Sequence, residues 1–458
     1  MRLQFKAIIA FLLANNIANA QEMNGFRTDN YNGVNGAFFN PANIGNSPYK
    51  LDVGLFGLNV FAGNKNLDFS FGTFSDISGD TNVLNSFVGN GKTNSIMVNA
   101  QFHLPSISYR VNDKIGVAVL LRSRILFNVQ DFDGTLINSI SSGTSNPSLP
   151  YQLNGTTNMR VSANIFSEYG VAGSYVAVNE GVHFLKAGAT IKYLAGVGNS
   201  YVQLDKINAT LDTNSSGDAI ATKASGSIGY GVGGVDIDNP SFSLAANASG
   251  IGADLGVVYE YRPDNLKNEN IPYLLKASAA LLDLGSINYS VIPKQTAGYT
   301  INIPAGQSFD LSKFNDNYKD TLNKYTNYFT QTAPVSSYRV SLPRTLQIGV
   351  DYRAVKNVFI AANAQLAMSN NETKAYNPKA VNAITVTPRY EGKLFAAYVP
   401  INFSNLTKTS IGFGFRAGPL YAGSSSLISM MISNSKQMDV YFGFRFGFKS
   451  KKDKKDKE

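Results

Sequence analysis

The sequence has no cysteine and only two histidines in 458 residues. A disulfide framework and thiol chemistry are therefore excluded, and a structural zinc site of the usual His/Cys kind has too few ligands. A lipid anchor on a mature N-terminal cysteine is excluded as well. Charge is scarce: Asp, Glu, Lys and Arg make up 16% of the chain, against roughly 25% in soluble proteins. Beyond the first twenty residues no run of about 18 apolar residues occurs, so no spanning helix is expected. The net charge of +9 lies partly at the ends, where Arg2 and Lys6 precede an apolar run and the last ten residues carry six lysines against three acids. The rest is close to balanced. It shows no basic face interleaved with aromatics, which argues against a nucleic-acid partner.

What is present is alternation. In Gln437 to Phe448, Met438, Val440, Phe442, Phe444, Phe446 and Phe448 share one parity, while Gln437, Asp439, Tyr441, Gly443, Arg445 and Gly447 share the other. Side chains alternate across a strand, so one face is greasy and the other polar or bare. About twelve residues suffice for a tilted strand to cross a bilayer. Similar runs recur at about 49–72, 94–109, 114–128, 159–178, 183–211, 250–262, 273–289, 339–352, 358–368, 383–399 and 409–418. Short connections at 110–113, 179–182, 263–271, 353–357 and 400–408 take turns with long ones. That is the signature of an outer-membrane barrel, with short periplasmic turns and long extracellular loops. The expected fold is an all-β, transmembrane, antiparallel up-and-down barrel of about 12 strands with both termini periplasmic. A hairpin within 227–235 would raise the count to 14.

Four segments follow. Residues 1–20 read as a signal peptide, with Ala18-Asn19-Ala20 as a small-x-small cleavage site. Residues 21–48 do not alternate and read as a plug inside the barrel, 49–448 as the barrel, and 449–458 as a basic periplasmic tail. On the inward parity Arg122, Arg124, Lys186, Lys192, Arg416 and Arg445 face Glu168, Asp254, Glu260 and Asp351. A lining balanced in sign points to paired charges crossing a largely closed lumen, because charges away from bulk water need partners. Phe314, Tyr318, Leu322, Tyr325 and Phe329 recur at helical spacing in the longest outer loop, so one short amphipathic helix is expected there. His103 falls on the inward parity but has no identifiable serine partner. No catalytic residue, metal ligand or cofactor site is assigned.

Short motifs in fixed order carry a family likeness. They are Phe39-Asn40-Pro41-Ala42-Asn43-Ile44, Pro105-Ser106-Ile107-Ser108-Tyr109, and Gly252-Ala253-Asp254-Leu255-Gly256 with Tyr259-Glu260-Tyr261. Asp283-Leu284-Gly285-Ser286-Ile287 and Gly418-Pro419-Leu420-Tyr421 complete the set. Over nearly the whole mature length the sequence resembles the FadL-like outer-membrane barrels, and more closely an uncharacterised barrel family of Bacteroidota. The resemblance implies passage of hydrophobic molecules through a barrel closed by an N-terminal hatch. Phe38, Phe39, Asn40, Pro41 and Ala42 would sit in that hatch. The expected function is binding or passing a small hydrophobic compound across a Gram-negative outer membrane, with outer-membrane lipid around the barrel. The alternative is a non-transporting scaffold or a partner of envelope or secretion proteins.

Overall fold

The computed structural model describes residues 23–449 apart from 67, 71–93, 137–148, 156–157, 236–247, 315–317, 334 and 369–373. The leader read at 1–20 and the tail from 450 onward lie outside the described residues. Fourteen antiparallel strands close into one barrel. The first seven are β1 (Leu51–Asn64), β2 (Asn94–His103 and, past Leu104-Pro105, Ser106–Arg110), β3 (Ile115–Phe132), β4 (Asn158–Glu180), β5 (His183–Thr213), β6 (Ala248–Tyr261) and β7 (Leu275–Ser290). Next come β8 (Ser337–Ser341, then Thr345–Val355), β9 (Val358–Ala367) and β10 (Ala383–Glu391). The last four are β11 (Phe395–Tyr398, then Ile401–Ser404), β12 (Lys408–Ile411, then Phe413–Ala417), β13 (Leu420–Ser424) and β14 (Gln437–Phe448). Closure comes from β14 lying against β1, Leu51 opposite Phe448 and Gly63 opposite Gln437. Both ends of the barrel chain therefore emerge at one rim, here the near rim.

Alternation decides which way each side chain points. On β14, Gln437, Asp439 and Tyr441 are buried inside while Val440, Phe444, Phe446 and Phe448 are exposed outside. The same holds round the ring: Val171, Ile191, Ile251, Leu255, Ile348 and Val350 all stand exposed. An apolar band of this extent on the outside of a closed cylinder, whose walls pair all the way round, is the lipid-facing surface of a membrane barrel. Ile191 is 69% exposed and lies midway along the part of β5 that pairs with β6. Ile191→Arg is expected to cost about 2–4 kcal/mol in unfolding from lipid vesicles if this level is the bilayer midplane. A loss well under 1 kcal/mol would move Ile191 out of the hydrocarbon.

The count is 14 rather than the 12 first expected, and the hairpin suspected at 227–235 is not the reason. The run 383–399 is two strands folded at Gly392-Lys393-Leu394, where Gly392 N donates to Phe395 O at 2.8 Å. So tight a turn leaves the apparent alternation unbroken. The second addition is β13, five residues long, entered through Gly418-Pro419 with Gly418 at φ 57°. As a result, the connection between β11 and β12 lies at the far rim although it is short.

Residues 227–235 instead belong largely to a side sheet above the far rim. The second half of β5 leaves the ring to pair with Ala219–Gly233. That strand pairs with Ala297–Asn302 and Ser308–Asp310, and Ala297–Asn302 with Phe329–Gln331. The helix expected in this loop is confined to Tyr318–Lys324, preceded by a 3-10 turn at Leu311–Phe314, while Phe329 begins a strand. Leu322 and Phe329 are buried, and Phe314, Tyr318 and Tyr325 pack against the same core as Tyr230, Tyr299 and Phe309. These five side chains pack together into one cap.

Candidate functional site

The lumen holds the N-terminal segment. Residues from Met23 to Gly45 form short turns, Phe26–Thr28, Gly33–Asn35, Gly36–Phe39 and Pro41–Ile44, and almost all are buried. Asn40 fixes the last of them. Its Oδ1 accepts from Ala42 N at 2.9 Å while Pro41 sits at the first turn position, where no donor is needed. Its Nδ2 donates to the carbonyls of Val257 and Ala279 on the wall, each at 3.2 Å.

The wall makes room for this segment with small residues in register. Gly116, Ser174, Gly188, Gly256 and Ala280 lie opposite one another across β3, β4, β5, β6 and β7. A Cβ on Gly256 would fall 2.0 Å from Asn40 Oδ1, one on Gly188 2.5 Å from the Pro41 carbonyl carbon, and one on Gly116 2.3 Å from Ile44 O. Ser174 Oγ donates to Ala42 O at 3.2 Å and Lys186 Nζ to Gly45 O at 3.0 Å. Hatch backbone thus lies directly on wall backbone along this row.

Ion pairs hold the rest of the hatch. Asp29 accepts from Arg416 Nε at 2.7 Å and from Tyr398. Burial raises the Asp29 carboxyl, but Arg416, Tyr398 and the Tyr31 amide more than reverse this, so it stays below its usual range and ionised at neutral pH. Asp52 joins Val34 N at 2.7 Å to Arg445. Asn30 N donates to Glu391 at 2.9 Å, and Glu391 also accepts from Arg389 at 2.7 Å. Arg389 in turn holds Asp351 at 2.6 Å. Phe38 meets His103 edge-on at 4.5 Å, and Arg122 lies over the same ring.

Above the hatch, six charges meet. Arg122 and Arg124 reach Glu168 at 2.8 and 3.0 Å, Arg124 reaches Asp283 at 2.7 Å, and Lys192 reaches Asp254 and Asp283 at 2.9 Å each. Three cations face three anions, all nearly excluded from solvent. The structure thus brings Arg122, Arg124, Lys192 and Asp254 together, and sets Lys186, Asp351, Arg416 and Arg445 around the hatch. Glu260 stands apart, paired at 2.5 Å with Arg262 at the near rim.

Sequence reasoning missed Asp283, Asp29, Asp52, Arg389 and Glu391. Asp283 sits in a bulge of β7, at φ 60° with a register shift between Leu281 and Leu284. The extra residue turns both Leu282 and Asp283 inward, so counting parity from Lys276 places Asp283 in the lipid. Arg389 and Glu391 do share the inward parity of Thr385 and Thr387, and that signal was available.

The far mouth is lined by tyrosines. Tyr338 and Tyr376 rings lie 4.7 Å apart, Tyr201 and Tyr376 5.4 Å, and Tyr289 and Tyr338 6.1 Å. Leu126, Phe166, Leu194 and Ile287 pack with them. Tyr376 arrives on a far-rim loop that folds back inward, its carbonyl accepting from Asn199 at 3.1 Å. A cavity of about 40 Å³ lies beside Phe38 and the charge cluster, and one of about 60 Å³ lies between the hatch and the wall at β7 to β9.

A family model, described as a family of unknown function, matches residues 41–425, from the hatch proline to the end of β13. No curated protein matches the chain in sequence. Among solved structures the chain is similar to the toluene transporter TbuX of Ralstonia pickettii, at 12% identity and a TM-score of 0.43 over 90% of this chain and 93% of that one. It is similar to a FadL homologue of Pseudomonas aeruginosa at 9% identity, TM-score 0.43 and the same coverage. The toluene transporter TodX of Pseudomonas putida aligns at 12% identity and TM-score 0.39 over 90% and 92%.

Proposed function

The chain belongs to that family, DUF5723, which assigns no activity, and we propose from the geometry that it is a gated outer-membrane barrel that takes up a small hydrophobic compound. The observation that carries this reading is the hatch. A segment held by hydrogen bonds, ion pairs, close backbone contact and apolar packing such as Phe26 on Tyr421, all non-covalent, closes an otherwise continuous cylinder, beneath a mouth lined by tyrosine, leucine and isoleucine. A plug held this way can leave without a covalent step. An apolar compound loses little on passing from the lipid-like mouth into a layer of aromatic rings. The first strand begins and the last strand ends at the near rim, which on this reading is periplasmic.

The aromatic layer gives the test. Protein extracted in mild detergent is expected to retain an apolar molecule visible by native mass spectrometry, and Tyr338→Ala with Tyr376→Ala is expected to lose it while the barrel stays folded. A non-transporting scaffold predicts no such molecule in either protein, and that outcome would retire the transport reading.

A further inference from the structure

The hatch is seated unevenly. On the side of β3 to β6 its backbone touches the row of Gly116, Ser174, Gly188 and Gly256. On the side of β8 and β9 it does not pack as closely. The inward residues of β8, in order from far to near, are Thr345, Gln347, Gly349, Asp351 and Arg353. Three cavities follow them in the same order. Thr345 and Gln347 line the one of about 40 Å³, Gln347, Gly349 and Asp351 the one of about 60 Å³, and Arg353 one of about 410 Å³ at the near rim. Strand β9 repeats the sequence, since Gln365, Asn363, Ala361 and Phe359 stand opposite Gln347, Gly349, Asp351 and Arg353 and line the three in turn. The hatch contributes Phe38, then Arg27 and Thr28, then Tyr31.

We propose that this seam between hatch and wall is a second permeation route, passing small uncharged polar solutes from the far chamber to the near-rim pocket. Two contacts interrupt it. Arg27 Nη2 donates to Gln347 Oε1 at 3.0 Å between the first two cavities, and Asp351, held by Arg389 and by Tyr273 at 2.6 Å each, stands between the second and third. Ser278, Asn363, Gln347 and Asn43 line the middle cavity, and the Asn363 Nδ2 has no acceptor among the described residues. Such a lining disfavours an apolar cargo, which would strip the water from each of these groups. Arg27, Lys276 and Asp351 line the same space, with Lys276 3.5 Å from Asp351, so an ion of either sign meets a counter-charge. The two inner cavities admit a few waters each, which sets the size class at a polyol such as glycerol. The route is independent of the apolar reading above and runs beside the glycine row, bordering it at Asn40 and Ala280.

The chain has no cysteine, so the seam can be blocked chemically. Full-length protein in liposomes is followed by osmotic swelling in glycerol. Gln347→Cys and Arg27→Ala each remove the first contact and are expected to speed glycerol entry several-fold over wild type. A bulky methanethiosulfonate on Gln347→Cys is expected to return entry to the protein-free rate, while the same reagent on Gly173→Cys, which faces lipid, changes nothing. Heat-modifiable mobility on gels verifies that each variant is a folded barrel. Entry no faster than in protein-free liposomes for both folded variants, or entry indifferent to the reagent at position 347, overturns the route. Loss of bound apolar compound in the tyrosine variants, with glycerol entry intact, separates the two readings.

Discussion

Gly188→Val is expected to drive the hatch out of its seat and turn a closed barrel into a conducting one. A Cβ at this position would lie 2.5 to 2.6 Å from the Pro41 carbonyl group and the Ala42 nitrogen. Real Cβ atoms do not approach backbone so closely, and here neither partner is a side chain that can swing aside. The wall cannot yield either, because Gly188 is held in register between Ser174 and Gly256. The hatch must therefore move. Overpacking of a well-packed site costs about 1–3 kcal/mol, a factor of about 5 to 150 in the ratio of seated to unseated hatch. The result should be read as open events in planar bilayers, rare in wild type and frequent in the variant. Gly173→Val supplies the control: that glycine lies on β4 fifteen residues before Gly188 and a Cβ there meets nothing within 4 Å. Equal conductance for wild type and Gly188→Val would mean that the segment from Asn40 to Gly45 is not what closes the lumen.

Why these glycines escaped notice in the sequence bears on what alternation can and cannot tell. Parity along one strand shows that Gly116, Gly188 and Gly256 point inward, just as it shows Phe444 and Phe446 pointing outward. It says nothing of level. Only the stagger between neighbouring strands aligns the three with Ser174, and stagger depends on turn geometry and bulges that single strands do not reveal. The hatch has no period at all. Its turns are set by Asn40 and Pro41 locally and by Asp29 and Asp52 reaching residues that lie 387 and 393 positions away in the chain. The membrane-facing surface was legible because lipid asks the same of every strand. The closure was not, because it rests on pairings unique to each contact. The tyrosine layer falls in between, since Tyr289 and Tyr338 sit near the far ends of strands but Tyr376 reaches them from a loop.

The six-charge cluster carries the other large effect. Asp283→Asn is expected to destabilise the folded barrel by about 3–5 kcal/mol, the range found when one partner of a buried ion pair is removed. Asp283 is the only member that touches both Arg124 and Lys192 at hydrogen-bond distance among the described residues. Its loss leaves three cations facing Glu168 and Asp254, in a site too enclosed for water to take up the excess charge. Removing the charge from both sides should cost less than removing it from one. Arg124→Gln added to Asp283→Asn restores neutrality, and two amides can still hydrogen-bond across the gap. The double variant is therefore expected to recover part of the loss, and the recovered part measures the coupling between the two residues. Urea unfolding from lipid vesicles gives the three free energies. Additive losses would show that the pair contributes as separate side chains. Recovery would instead identify the cluster as a strut that spans the lumen, one that any solute entering from the far mouth must pass beside.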